Sequence, residues 1–242
     1  MKKYFYLLVV LIIASSCQVN ETIYLNEDGS GTIEVVQLRD EHSYMQLVGG
    51  NYSREEKFVD TTYAFKDYIT KYSDNYSRLP AFEKAIFNKF KDIKVYIKKS
   101  SYEKEFRTVI SQKFGTIEAV PDLYKTENYA SDLAHNYALS AEEHYYAVSY
   151  SFDGTIFRRI VSITDSVQLQ KEQSKISEIK KQFSTAKISQ SYVLNYHFLR
   201  KIKSVSNPNA KISEDRKALK IEFLLGDCLQ NPEITALEVV LE

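Results

Sequence analysis

Apolar and polar residues alternate one by one in some stretches of this chain and recur every three to four residues in others. The first period marks half-buried strands and the second marks helix faces. Ile23 and Leu25, then Ile33 and Val35, alternate on either side of Asp28-Gly29-Ser30-Gly31, which has turn chemistry, so the pattern predicts a β-hairpin. A polar loop with Gly49-Gly50 follows. Phe65, Tyr68, Ile69 and Tyr72 then keep the i, i+3, i+4, i+7 spacing of a helix, with Asp60 as its N-cap. Pro80 opens a second helix lined by Phe82, Ile86 and Phe90. Residues 92–114 read as a second hairpin, with Ile93, Val95 and Ile97 on one face and Lys94 and Lys98 between them. Residues 115–142 are mixed, with Pro121 starting a short helix. A third hairpin spans 145–163 and turns at Asp153-Gly154. In the longest helix, 165–183, Leu169, Ile176, Ile179 and Phe183 form a narrow stripe, which predicts a rod lying on a sheet with its outer face wet. The end is strand-rich: 191–198, 201–206, 218–225, where Leu219, Ile221, Phe223 and Leu225 alternate, and 236–241.

Adjacent strands in runs, with helices between the runs, predict an α+β fold. Antiparallel sheets built from hairpins carry helices packed on one side. Residues 17–242 form one domain on this reading, the alternative being two intimate halves, about 21–114 and 144–242. Each half runs hairpin–helix–hairpin, without residue-level similarity between them. Composition fits a folded chain: 44% hydrophobic and 26% charged, with seven Gly and four Pro, which leaves no room for a long linker.

The apolar run Leu7 to Ala14 follows Met1-Lys2-Lys3 and is far shorter than the ~20 residues a membrane-spanning helix needs. It reads as an export signal over residues 1–16. Ala14-Ser15-Ser16-Cys17 resembles the lipobox of bacterial lipoproteins, in which the cysteine is lipidated with chains such as palmitate. Many lipoboxes carry Leu where this chain has Ala14, and an ordinary secretory signal is the alternative. Lipidation of Cys17 anchors the protein to a membrane, since two or more acyl chains give stable attachment. Losing Lys2 and Lys3 from the 32 basic side chains leaves a near balance with 32 acidic ones, which is no footprint for nucleic acid. Gln18 and Glu21, close to the anchor, partly resemble the acidic export tags of surface lipoproteins. With Cys17 acylated, Cys228 has no disulfide partner and reads as a small buried hydrophobe beside Leu224, Leu225 and Leu229. A catalytic thiol there would need a histidine base.

Asn26-x-Asp28-x-Ser30-Gly31 approximates a calcium loop, but Gln37 replaces the bidentate Glu and strands replace the flanking helices, so a hairpin turn is the better reading. His42, His135, His144 and His197 have no metal-ligand spacing, and no nucleophile elbow, P-loop or dinucleotide motif is present. The sequence therefore assigns no catalytic residue, metal or cofactor. Glu55-Glu56 and Glu142-Glu143 read as solvated charge. Nineteen tyrosines and no tryptophan suggest tyrosines filling amphipathic faces, with sugar-binding aromatics as the alternative. Basic residues cluster at Lys98-Lys99, Arg158-Arg159 and Arg200 to Lys203; Arg158, Arg159, Lys201 and Lys203 form a candidate contact for anionic headgroups. The bland alternative is a solvated face balanced by Glu. Asp60-Thr61-Thr62 and Asp165-Ser166-Val167 resemble Bacteroidota O-glycosylation sites and also suit helix starts.

The opening "ETIYLNEDGSGTIEV" and the closing segment from "YVLNYHF" to "ALEVVLE" resemble Bacteroidota-type envelope lipoproteins of no assigned activity. Such proteins often show Phe-Pro where this chain has Phe198-Leu199, and Asp-Gly where it has Asp215-Arg216. A fainter likeness reaches the LppM-like lipoprotein domains. The resemblance implies a lipid-anchored envelope protein, in the outer membrane, with an α+β domain and no catalytic residues to carry over. The function expected is non-enzymatic binding of a protein, glycan or lipid partner. An envelope hydrolase with a site of dispersed residues, or a structural subunit of an envelope complex, is the alternative.

Overall fold

The computed structural model describes residues 16–40, 58–103, 105–135, 144–182 and 190–242. The first hairpin forms as its pattern predicts. Strand β1 (Ser16–Leu25) pairs antiparallel with β2 (Gly31–Asp40), Ile23 opposite Ile33. Its turn is closed locally: Ser30 donates its N–H and hydroxyl to Asp28 Oδ1 at 3.0 and 2.6 Å, and Gly29 takes φ +80°, where a side chain is strained. The calcium-loop residues are thus spent on the turn.

Strand β3 (Phe58–Ala64), β4 (Lys94–Ser100) and β5 (Glu105–Phe114) extend the sheet beyond β2. On the other side lie β8 (Ser191–Phe198), β11 (Ala218–Leu224) and the short β10 (Lys211–Ile212). The order is β10-β11-β8-β1-β2-β5-β4-β3, eight strands with β1 central. All neighbours are antiparallel except β1 and β8, which run parallel with Glu21 beside Leu194 and Tyr24 beside His197. A second, four-stranded sheet is ordered β6 (Tyr146–Phe152), β7 (Ile156–Ile163), β12 (Leu237–Leu241), β9 (Ile202–Val205).

One face of the large sheet supplies Ile23, Ile33, Val35, Val95, Ile110, Leu194 and Ile221 to the core. The small sheet meets them with Val148, Phe157, Ile202 and Val239. Helices α1 (Phe65–Lys71), α2 (Ser73–Arg78), α3 (Ala81–Lys89) and α4 (Thr126–His135) cover the rest, through Phe65, Phe87, Phe90, Tyr129 and Leu133. None of the alternate side chains of the large sheet, such as Tyr24, Val36, Tyr96, Val109 and Asn195, joins that core. This is the α+β layout expected, with the helices and the second sheet on one side.

Several local expectations need correction. Asp60 caps no helix: it sits in edge strand β3 opposite Lys98, because the β-branched Val59, Thr61 and Thr62 pair with β4. The helix starts five residues later, and Asp67 accepts the Ala64 N–H at 2.9 Å. In α3 the buried ring is Phe87, while Phe82 is exposed; five positions separate them, about 140° around a helix. Pro121 starts no helix. Single 3-10 turns at Ile117–Ala119 and Leu123–Lys125 precede α4. Leu225 opens a helix, α6 (Leu225–Gln230), instead of ending a strand. The long helix α5 (Ser166–Gln182) is capped by Asp165, which accepts N–H groups of Val167 and Gln168 at 2.9 Å each. It docks mainly on α6, not on a sheet, through Lys180 to Asp227 and Gln173 to the Gln230 carbonyl. Its Phe183 and the Gly49-Gly50 loop lie outside the described residues. Arg216 takes φ 59°, in the left-handed region that favours glycine, and its guanidinium is tied to the Ile202 carbonyl and to Glu242.

Candidate functional site

Two polar places stand out, one sealed between the sheets and one open. The sealed one begins at parity. Glu21 lies between Val19 and Ile23 on the inward side of β1, and Arg159 lies between Phe157 and Val161 on the inward side of β7. Their exposures are 0% and 2%. They meet as a two-pronged ion pair: Arg159 Nε donates to Glu21 Oε1 and Nη2 to Oε2, both at 3.2 Å. Nη1 donates to the Thr235 hydroxyl at 2.7 Å and to the Thr235 carbonyl at 3.2 Å, and Nη2 also reaches the Tyr192 hydroxyl at 2.7 Å. Tyr196 and Tyr124 donate their hydroxyls to Glu21 at 2.5 and 2.6 Å, and Tyr124 and Tyr192 hydrogen-bond each other. Burial pushes the Glu21 carboxyl up, but the Arg159 guanidinium and the hydrogen bonds of Arg159, Tyr124 and Tyr196 outweigh it, leaving the carboxyl below its ordinary value. Burial drives the Tyr124, Tyr192 and Tyr196 hydroxyls well above theirs. Each charge is satisfied by the others, so the cluster is a clasp between the two sheets.

Asp122 sits beside this clasp. Its carboxylate accepts the Val148 N–H at 3.1 Å and the Tyr124 N–H at 3.2 Å, and burial pushes its pKa to about 6. Glu118 accepts the Phe152 N–H at 2.6 Å, so two acids cover the free edge of β6.

The open place lies on the outer face of the large sheet, at the end carrying the β1–β2 turn. In-register pairing lines up Asn195, Thr22, Glu34, Ser111 and Lys94 in one row across five strands. The next row holds His197, Tyr24, Thr32 and Lys113. With Lys66 and Asp92 at the rim, all of these except His197 line a cleft of about 730 Å³, within the size range of small-molecule sites. Tyr24 is 54% exposed, and its ring stacks on His197 with centroids 4.4 Å apart and planes 10° off parallel. Among the described residues, the side chains of Thr22, Thr32, Glu34, Lys66, Asp92, Lys94, Lys113 and Asn195 make no hydrogen bond or ion pair within the protein. Three ammonium groups, two carboxylates and several neutral hydrogen-bonding groups thus surround one exposed aromatic ring.

The residues singled out from sequence fall elsewhere. Arg159 leaves the candidate headgroup contact because it is buried in the clasp. Arg158 is half-exposed and bound to Glu238 at 2.8 Å, with Asp153 at 3.7 Å. Lys201 and Lys203 are exposed on either side of buried Ile202. Glu21 is no exposed acidic tag. Cys17 has its backbone in β1, opposite Arg39. Cys228 is buried, its thiol pushed up to about 12 by burial. Among the described residues no histidine lines the cleft, although His197 stacks on Tyr24, which does; His42 lies outside them. Glu55-Glu56 and Glu142-Glu143 also lie outside them. Among the described residues no cluster of His, Cys, Asp or Glu could hold a metal ion, and no helix is long and apolar enough to cross a membrane.

No family model matches the chain, and no curated protein matches it. The likeness of its ends to Bacteroidota lipoproteins therefore gains no support. Among solved structures, the chain is similar to the folded domain of LppM from Mycobacterium tuberculosis, determined by NMR. The TM-score is 0.44 and the identity 9%, over 95% of this chain and 91% of that one.

Proposed function

We propose that this chain is a non-enzymatic binding module, tethered to the outer membrane by lipid on Cys17, which holds a polar oligosaccharide in the cleft around Tyr24. The observation that carries this reading is the set of unpartnered side chains ringing one exposed aromatic. A sugar presents apolar C–H faces that pack on an aromatic ring and hydroxyls that both donate and accept. Asn195, Thr22 and Thr32 supply neutral partners, and Lys94, Lys113, Glu34 and Asp92 supply charged ones. Tyr24 stands seven residue steps beyond Cys17 along β1, which separates anchor and cleft by about 23 Å, at ~3.3 Å per residue.

Titrating the isotope-labelled protein with N-acetylglucosamine oligomers, a neutral hexose oligomer and a uronic-acid oligomer tests this by NMR. Shifts should concentrate at Tyr24, Thr32, Asn195 and Lys113, and Tyr24→Ala should weaken binding about tenfold, the worth of one good aromatic contact. Unmoved cleft resonances at millimolar concentrations of all three would sink the reading. Cleavage of a bound oligomer would instead turn Glu34 and Asp92 into candidate carboxylates of a glycoside hydrolase.

A further inference from the structure

The strand directions place a second feature at the end of the domain opposite the cleft. β1 runs from Cys17 toward the turn, so the other strands can be ordered against it. Phe58 opens β3 opposite Ser100, the last residue of β4, and Leu224 closes β11 opposite Ser191, the first residue of β8. Gln18 pairs with Ser191 on one side and Leu38 on the other, and Leu38 pairs with Arg107. All these positions belong to the Cys17 end. Tyr102 lies there too, in the turn between β4 and β5.

The most exposed large apolar side chains among the described residues are Tyr102 at 96%, Phe58 at 78%, Leu224 and Phe82 at 66%, and Val167 at 60%. Three of them share this one end; Phe82 and Val167 are on α3 and α5. Leu224 stands two strands from β1, about 10 Å, and Phe58 four strands away on the other side, about 19 Å, at ~4.8 Å per strand. Four charges near Tyr102 balance one another, since Lys98 binds Glu103 at 2.7 Å and Glu105 at 3.1 Å, and Arg107 lies 3.6 Å from Glu105. An apolar surface can therefore approach this end without stripping water from a lone charge.

We infer that the Cys17 end of the domain is a footing on the lipid bilayer: Phe58, Tyr102 and Leu224 enter the headgroup–acyl boundary on both sides of the anchor. Aromatic side chains with a polar tip favour that depth. This rests on the anchored reading above and deepens it. A single acyl-bearing residue is a swivel, whereas apolar contacts flanking it stand the strands upright and hold the cleft away from the bilayer.

The chain has no tryptophan, so a single introduced indole reports cleanly. Tyr102→Trp and Leu199→Trp should be made in the full chain, position 199 being half-exposed at the cleft end, just past Phe198. Each is reconstituted in vesicles of phosphatidylethanolamine and phosphatidylglycerol containing brominated acyl chains. Emission from Tyr102→Trp should shift to the blue and be quenched at least several-fold more than emission from Leu199→Trp. Removing the feet together, Phe58→Ser with Leu224→Ser, should cut that quenching several-fold. Intact mass on the same preparation reads acylation separately. An acylated chain with equal quenching at both positions overturns the footing and leaves the anchor. An unacylated chain removes the anchor, and the same indole at millimolar lipid then decides the footing: unquenched emission overturns it, and quenching upholds it.

Discussion

Glu21→Gln removes the negative half of the clasp while keeping its shape. The Arg159 guanidinium then remains buried with no counter-charge, at 2% exposure and fixed by Thr235 and Tyr192. Breaking a buried pair from one side costs about 3–5 kcal/mol, because the surviving charge is stranded in a medium that solvates it poorly. A domain held by ~5–15 kcal/mol loses a large part of its stability. In urea, with a slope of ~2–3 kcal/mol per molar, the midpoint should fall by roughly 1–2 M. Arg159→Met should cost a similar amount by stranding the carboxylate. Glu21→Met combined with Arg159→Met should cost clearly less than the two single losses added together. In the double variant Tyr124 and Tyr192 keep each other, and Thr235 keeps its bond to the Pro232 carbonyl. The Tyr196 hydroxyl and one hydroxyl of the Tyr124–Tyr192 pair lose their acceptor, and the Thr235 carbonyl loses the Arg159 donor, a deficit of about 1–3 kcal/mol for each group left unpaired. The cycle should therefore show a coupling of several kcal/mol. Single variants that shift the midpoint by less than ~0.3 M, or losses that simply add, would refute the view that the pair is sealed and mutually dependent.

Acidity acts on Glu21 and Asp122 in opposite senses. Glu21 is depressed in the folded state, so its contribution is present above its ordinary 4.5 and fades as pH falls below that. Asp122 is raised from 3.8 to about 6, so its contribution is full below pH 3.8 and is lost as pH climbs through 6. Asp122→Asn should flatten the fall in melting temperature between pH 4 and 7, and an unchanged slope there would assign it to another group. Gly31→Ala should destabilise by at least about 1–3 kcal/mol, since its Cβ would stand 2.0 Å from the Tyr24 carbonyl oxygen and 2.9 Å from the Phe114 ring. Gly115→Ala, with nothing near, is the control; equal melting temperatures for the two would contradict the packing described.

Hairpins were legible because their information is local: alternation on both arms and a turn residue such as Gly154, which takes φ 89°. The clasp was legible in part. Glu21 and Arg159 each interrupt an inward-facing apolar series, and two opposite charges at such positions are the mark of a buried pair. Reading Arg159 with its neighbour Arg158 as a basic patch hid that parity. The cleft was beyond reach from sequence, since it depends on Tyr24 meeting His197 through a parallel pairing that no turn specifies. Asp60 misled for the opposite reason: a good capping residue near a helix start gave way to strand pairing that only the folded sheet supplies.

The parallel pairing of β1 and β8 also governs how the protein is made. Its central strand β1 is made long before β8, so one side of that strand stays vacant until Ser191–Phe198 has been delivered. The nascent sheet therefore presents an unpaired edge for most of the length of the chain. Such an edge invites mispairing with other chains, and contacts so distant in sequence slow folding. A holdase that covers that edge would matter most to this protein in that interval.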